Sequence, residues 1–172
     1  FPPTAHLHIH SAEASGQLDA RFLYCAREAE MQQQLSLLIK QRGWKAIFCK
    51  ETLLREKLAH LQFPGFSQEP LDKAEVALTG CEMLIARTGS IVMSTAQESG
   101  RTTSVYAPVH ICLANTSQLV YDIKDGLQLL KQRYAGRMPS LITFATCPSR
   151  TADSEKTLML GRHRPRERAA EL

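Results

Sequence analysis

From position 147 to 155 the chain reads Cys-Pro-Ser-Arg-Thr-Ala-Asp-Ser-Glu, directly after the apolar run Leu141–Ala145 and Thr146. Ser149, Arg150, Thr151 and Asp153 thus place a hydroxyl, a guanidinium, a second hydroxyl and a carboxylate at the exit of a buried strand. That set suits a small anion: Arg150 offers a planar fork to a carboxylate or phosphate, the hydroxyls add hydrogen bonds, and Asp153 can orient the fork or take a substrate hydroxyl. Helix capping is the simpler reading, because Ser149 or Thr151 can cap a following helix. Capping does not account for Arg150, a cation where a helix dipole favours anions.

Three further groups belong in the count. Thr88-Gly89-Ser90 lies between two apolar runs as a tight turn with two hydroxyls, and Gly89 permits close backbone approach; Arg87 beside it adds positive charge. His110 sits within an apolar strand started by Pro108, where a core role competes with a ligand role. His163 follows Gly161 in Gly-Arg-His-Arg-Pro. Near the start, His6, His8 and His10 alternate on one face of an extended segment, but no carboxylate or cysteine nearby completes a metal site. A solvated arm accounts for them, and no metal is expected.

The elements that must position these groups alternate in type. Apolar runs at 21–26, 45–49, 76–78, 83–86, 91–93, 109–114 and 140–145 read as strands. Helices are expected at 28–43, with Met31, Leu35, Leu38 and Ile39 on one stripe and Gly43 as the stop, and at 51–61, with Leu54, Leu58 and Leu61 facing inward. A long amphipathic helix is expected over 115–136 on Leu119, Ile123, Leu127, Leu130 and Tyr134, and a last helix over 152–161. Continuous apolar strands between helices predict an α/β fold: a mainly parallel sheet with helices on both faces, with an antiparallel hairpin allowed within 76–114. Gly80 and Gly89 punctuate that stretch. Ligands of such sheets bind beyond the carboxyl ends of the strands, where the 88–90 turn and the 147–153 loop are expected.

At 172 residues, 44% hydrophobic and 22% charged, the chain suits one soluble domain. The net charge of +4 owes much to Arg162, Arg164, Arg166 and Arg168 in the last eleven residues. The body therefore lacks the basic excess of a nucleic-acid binder. The five cysteines, Cys25, Cys49, Cys81, Cys112 and Cys147, form no close-set pair, which argues against a zinc or iron–sulfur site; no cofactor is expected within the chain. Buried free thiols point to a reducing, cytoplasmic setting. No apolar stretch is long enough to span a membrane. Because the chain opens on Phe1, residues 1–20 are expected to be an arm left from a longer N-terminus, with the α/β domain at 21–165 and a basic tail at 166–172.

Taken together, Arg87-Thr88-Gly89-Ser90, Pro108-Val109-His110, Cys147–Glu155 and Gly161-Arg162-His163-Arg164-Pro165 resemble the LutC/YkgG family, the LUD domain of lactate utilisation proteins, over roughly residues 20–165. The family pattern has an acid before Thr-Gly-Thr/Ser, then Pro-x-His, then Gly-Pro-Ser-Arg-Thr-Ala-Asp-Ile-Glu, then Gly-x-His-Gly-Pro. Arg87 stands where the acid stands, Cys147 in place of Gly, Ser154 in place of Ile and Arg164 in place of the second Gly. The family continues after Pro165 into an apolar strand, which Arg-Glu-Arg-Ala-Ala-Glu-Leu does not supply.

The resemblance implies a fold related to the NagB/RpiA/CoA-transferase group and a place beside two iron–sulfur proteins in oxidising L-lactate to pyruvate. Thr88, Gly89, Ser90, His110, Ser149, Arg150, Thr151, Asp153, Glu155 and His163 are then the candidate ligand-binding residues. The ligand is a small carboxylate or phosphate, and electron transfer is left to iron–sulfur partner subunits. The alternative is a stand-alone enzyme of CoA-transferase or sugar-phosphate isomerase type. It needs an acid or base in the cleft, with Glu98, Asp153 and Glu155 as candidates; the residue that catalyses is open.

Overall fold

The computed structural model describes residues 21–59, 65–68, 70–100, 102–146 and 155–161. The strands are β1 (Arg21–Cys25), β2 (Ile47–Phe48), β3 (Val76–Thr79), β4 (Met83–Ile85), β5 (Ser90–Ser94), β6 (Val109–Asn115), β7 (Leu119–Val120), β8 (Ile142–Ala145) and β9 (Glu155–Gly161). The helices are α1 (Glu28–Arg42), α2 (Thr52–Leu58), α3 (Thr103–Tyr106) and α4 (Ile123–Arg133).

Local sequence accounts for α1. Met31, Leu35 and Ile39 form its buried stripe, Glu28 and Glu30 occupy the first turn, and Lys40 and Arg42 the last, in keeping with the helix dipole. Gly43 closes it at φ 68°, donating its N–H to the carbonyls of Ile39 and Lys40. A side chain is strained in that left-handed conformation, and Gly is not.

The strands make two sheets. A five-stranded sheet has the order β1-β9-β6-β3-β2, parallel throughout. A four-stranded sheet has the order β7-β4-β5-β8, with β5 antiparallel to both β4 and β8. The antiparallel hairpin allowed by the sequence is β4–β5.

Three packed layers of apolar side chains join the elements. Leu35 and Ile39 of α1, with Leu58 of α2, lie against Val76, Leu78, Ile111, Leu113 and Met159 on one face of the parallel sheet. Cys112, Ala114 and Phe22 on its other face meet Leu84, Ile91, Met93 and Leu119 of the second sheet. Met83, Ile85 and Val92 on the far side of that second sheet pack under Leu130 and Ile123 of α4. Alternation along β4 thus sends Leu84 inward and Met83 and Ile85 toward α4, which is why both faces of this strand are apolar.

The architecture is therefore α/β. The parallel sheet carries α1 and α2 on one face; on the other, a second sheet not expected from the sequence packs against β1 and β6, and Ala107 at the end of α3 packs with Ala77 of β3. The expected last helix is corrected: residues 155–161 form β9. Its Lys, Met and Leu residues are good helix formers. Pairing with β1 on one side and β6 on the other, with Thr157 and Met159 buried, overrides that preference. The long helix expected over 115–136 is shorter. Residues Thr116–Gln118 form a 3-10 turn, Leu119–Val120 pair with β4, and α4 starts at Ile123, where Asp122 accepts the Lys124 N–H at 3.4 Å. None of the described helices is long and apolar enough to cross a membrane.

Candidate functional site

The turn between β4 and β5 has the form its residues require. Gly89 adopts φ 63°, and Ser90 opens β5. The Ser90 side chain is 1% exposed. Its Oγ lies 2.6 Å from Thr88 Oγ1 and 2.9 Å from Thr146 Oγ1. The second contact crosses from β5 to the residue after β8, which the antiparallel register Ile91↔Ala145 brings alongside. Thr146 was not singled out in the sequence. Its partner is set by strand pairing fifty-six residues away, and no local spacing reports that.

The other end of the 147–154 segment is fixed by a second pairing. β9 starts with Glu155 opposite Val109 and Lys156 opposite His110. Two strand registers therefore hold the segment's flanks: Thr146 stands beside the Thr88–Ser90 turn, and Glu155 beside the start of β6. The Glu155 flank lies at the amino ends of β6 and β9, not beyond the carboxyl ends of the parallel strands as expected. β9 is the reason: the segment leads into a parallel strand where a helix was expected to follow.

His110 is 2% exposed, with Nε2 2.8 Å from Thr79 Oγ1. It points to the face opposite α1, since Val109 and Ile111 pack on the α1 side. The ring is thus held inside the protein by a neighbouring strand. Arg87 does not add free positive charge to the turn. Its Nε lies 3.0 Å from Asp122 Oδ2 and its Nη2 3.3 Å from Oδ1, so the guanidinium grips the residue that caps α4. Ser149, Arg150, Thr151, Asp153 and His163 lie outside the described residues, as do Cys147, Ser154, Arg164 and the His6, His8, His10 series.

Four cysteines, Cys25, Cys49, Cys81 and Cys112, are buried free thiols. Burial pushes the Cys49 thiol up to about 12, with the Glu51 and Glu98 charges acting the same way and a backbone hydrogen bond with Glu51 and the Arg55 charge opposing. No group of three or more His, Cys, Asp or Glu among the described residues could hold a metal ion. Glu98 is exposed, and its Oε2 accepts the Thr52 N–H at 2.6 Å. It follows β5, whereas the Thr88–Ser90 turn precedes it.

One buried carboxylate escaped the sequence reading. Glu82 is 4% exposed. Its Oε1 accepts from Ser94 Oγ at 2.6 Å and from the Tyr134 hydroxyl at 2.5 Å, and its Oε2 accepts from Arg133 Nη1 at 2.6 Å. Burial, then the bond to Glu82, raises the Tyr134 phenol above its ordinary value. The group ties the end of α4 to the second sheet. A glutamate at the head of an otherwise apolar run, Cys81-Glu82-Met83-Leu84-Ile85-Ala86, was the available signal.

Residues 65–169 match the family model of the LUD domain. The chain belongs to the LUD domain family. A 93-residue stretch of this LUD chain is 34% identical to an uncharacterized protein of Neisseria meningitidis serogroup B, covering 54% of this chain and 40% of that one. Another, of 104 residues, is 31% identical to lactate utilization protein C of Deinococcus radiodurans, covering 60% and 48%. The chain thus spans less than half the length of these two relatives. A crystal structure of a DUF162 family protein from Deinococcus radiodurans has the same fold, with a TM-score of 0.73 over 94% of this chain and 99% of that one, at 17% identity.

Proposed function

We propose that this LUD chain is a LutC-like accessory subunit in the oxidation of L-lactate to pyruvate. It binds a small carboxylate beside the Thr88-Gly89-Ser90 turn and the 147–155 segment. Arg150 pairs with the carboxylate, Ser149 and Thr151 add hydrogen bonds, and Asp153 holds the Arg150 fork. Electrons pass to iron–sulfur partner subunits, and the chain works in the cytoplasm without a cofactor of its own. A kinship of its fold with the NagB/RpiA/CoA-transferase group is part of the same proposal.

The observation that carries this reading is the double anchoring of the 147–154 segment. Its flanks rest on two other motif stretches, Ser90 with Thr146 and Val109 with Glu155. Each flank thus meets another motif stretch, which supports a shared site better than a set of unrelated caps. Several relatives carry the name lactate utilization protein C, among them those of Deinococcus radiodurans and Bacillus subtilis, which supports the metabolic context. A stand-alone enzyme of CoA-transferase or isomerase type is less well supported. Of its candidate carboxylates, Glu98 is engaged with Thr52 beyond the other end of β5.

A thermal-shift series tests the proposal with lactate, pyruvate, coenzyme A thioesters and sugar phosphates, on the native chain and Arg150→Ala. A ligand at 100 times its Kd adds about 2.7 kcal/mol, roughly 5–10 °C for a domain of this size. A shift with lactate or pyruvate that vanishes in Arg150→Ala is expected. A shift with thioesters or sugar phosphates alone would replace the proposal with the enzyme reading.

A further inference from the structure

The three hydroxyls of Thr88, Ser90 and Thr146 carry three protons and make two mutual hydrogen bonds, at 2.6 and 2.9 Å. None of the three hydroxyls has another partner among the described residues. One proton is therefore left over, and its place follows from burial. Ser90 is in the middle and 1% exposed, so a spare proton there would be an unmade hydrogen bond in the interior, the costly outcome. The spare proton belongs at an end. Thr146 is exposed, whereas Thr88 is half-buried. Of the two ends Thr146 is the more exposed, so a chain of donors running from Thr88 to Ser90 to Thr146 would leave its proton outward. Each donated bond polarises the next hydroxyl, so the last donor is stronger than an isolated threonine.

We propose that Thr146 contacts the ligand directly, donating this outward proton to a carboxylate oxygen, and that Ser90 is a positioning residue acting through it. The inference rests on the carboxylate-binding reading above and deepens it. It changes the part expected of Ser90, whose hydroxyl is spent within the protein, and brings in a residue that no motif marks. The contact suits a carboxylate because a neutral hydroxyl aligned by a buried partner binds an anion without adding a charge that must be desolvated. Arg87 is not available for that work beside the turn, being held by Asp122.

The test is isothermal titration of the full chain with L-lactate and with pyruvate, for the native protein, Thr146→Val, Thr146→Ser, Ser90→Ala and the pair Ser90→Ala/Thr146→Val. Thr146→Val keeps the shape and removes the hydroxyl at an exposed site, so it folds even where Ser90→Ala does not. Loss of one hydrogen bond to a charged group weakens binding roughly 10-fold or more. Thr146→Val is expected to show that loss, and Thr146→Ser to bind within about 3-fold of native. Ser90→Ala should fall between them, and the double variant should be no weaker than Thr146→Val. Native-like binding by Thr146→Val, or binding by Thr146→Ser as weak as by Thr146→Val, overturns the inference while leaving the carboxylate site standing. A native chain that binds neither acid overturns the functional reading, and the ligand contact with it. Unfolding effects of Ser90→Ala and Thr146→Val that simply add overturn the hydroxyl chain alone.

Discussion

Glu82 Oε2 lies 2.6 Å from Arg133 Nη1, joining a carboxylate 4% exposed to a guanidinium that stays half in solvent. Ser94 and Tyr134 complete the shell around the same carboxylate. Glu82→Ala strips three donors of their acceptor. A fully buried broken pair costs about 3–5 kcal/mol; with Arg133 half-exposed and able to rehydrate, roughly 2–3 kcal/mol is expected here. That corresponds to a fall in Tm of about 5–10 °C, measured by circular dichroism. Glu82→Gln should lose less, since its amide oxygen still accepts.

Gly126 of α4 lies against the second sheet. A Cβ there would meet Met83 Sδ at 2.7 Å and Ile85 Cδ1 at 3.1 Å. In an exposed helix Gly→Ala gains about 1 kcal/mol. Met83 and Ile85 are buried, so overpacking outweighs the gain, and Gly126→Ala is expected to lose about 1–2 kcal/mol in urea unfolding. The variant Gly126→Ala/Met83→Ala should be less destabilised than the sum of its parts. Strict additivity would mean that α4 does not rest on Met83 here.

Glu75 Oε2 accepts the N–H groups of Lys45 and Ala46 at 2.7 and 2.8 Å, fastening the start of β2 to β3. The bond from Ala46, then that from Lys45, holds the carboxyl below its ordinary value. A carboxylate depressed in the folded state stabilises above its unfolded pKa, about 4.3, and that contribution is lost as pH falls through the folded value. Stability should therefore decline below about pH 4.3 and decline less steeply in Glu75→Gln. Parallel acid-unfolding curves for the two proteins would contradict this role.

Cys49 is buried, and its thiol is pushed up to about 12. A thiol held there leaves about a thousandth of the usual thiolate near neutral pH. At pH 8 the native protein should label at Cys49 at least ~100-fold more slowly than the urea-unfolded chain, as read from the Cys49 peptide by mass spectrometry. Rapid labelling in the native state would place the thiol in solvent.

Much of the framework was legible because burial on both faces leaves a continuous apolar run. Val76–Thr79, Val109–Asn115 and the Met31, Leu35, Ile39 stripe of α1 declare themselves. The failures share a cause. β9 reads as a helix from its own residues, and only its place between β1 and β6 makes it a strand. Tyr121 and Asp122 interrupt what periodicity alone extends into a long helix, because Leu119 and Val120 find partners in β4. The site divides the same way. The Thr88-Gly89-Ser90 turn is local and was visible, whereas the Ser90–Thr146 contact exists through the register of β5 on β8. His110 was seen as a residue type, but its burial against Thr79 is a property of the β3–β6 pair.

The placement of β9 also sets the order in which the chain can become whole. Among the described residues β1, near the start, pairs with β9 alone, and β9 lies near the end. During synthesis β1 leaves the ribosome long before β9 exists, and α1 must cover a sheet that still lacks the strand between β1 and β6. The remaining strands can assemble early, but β1 stays outside until β9 slots between it and β6, closing two ladders in one event. Such distant pairings form slowly, and the waiting strand edge invites mispairing. Until β9 arrives, the edge of β1 is therefore open to any strand that meets it.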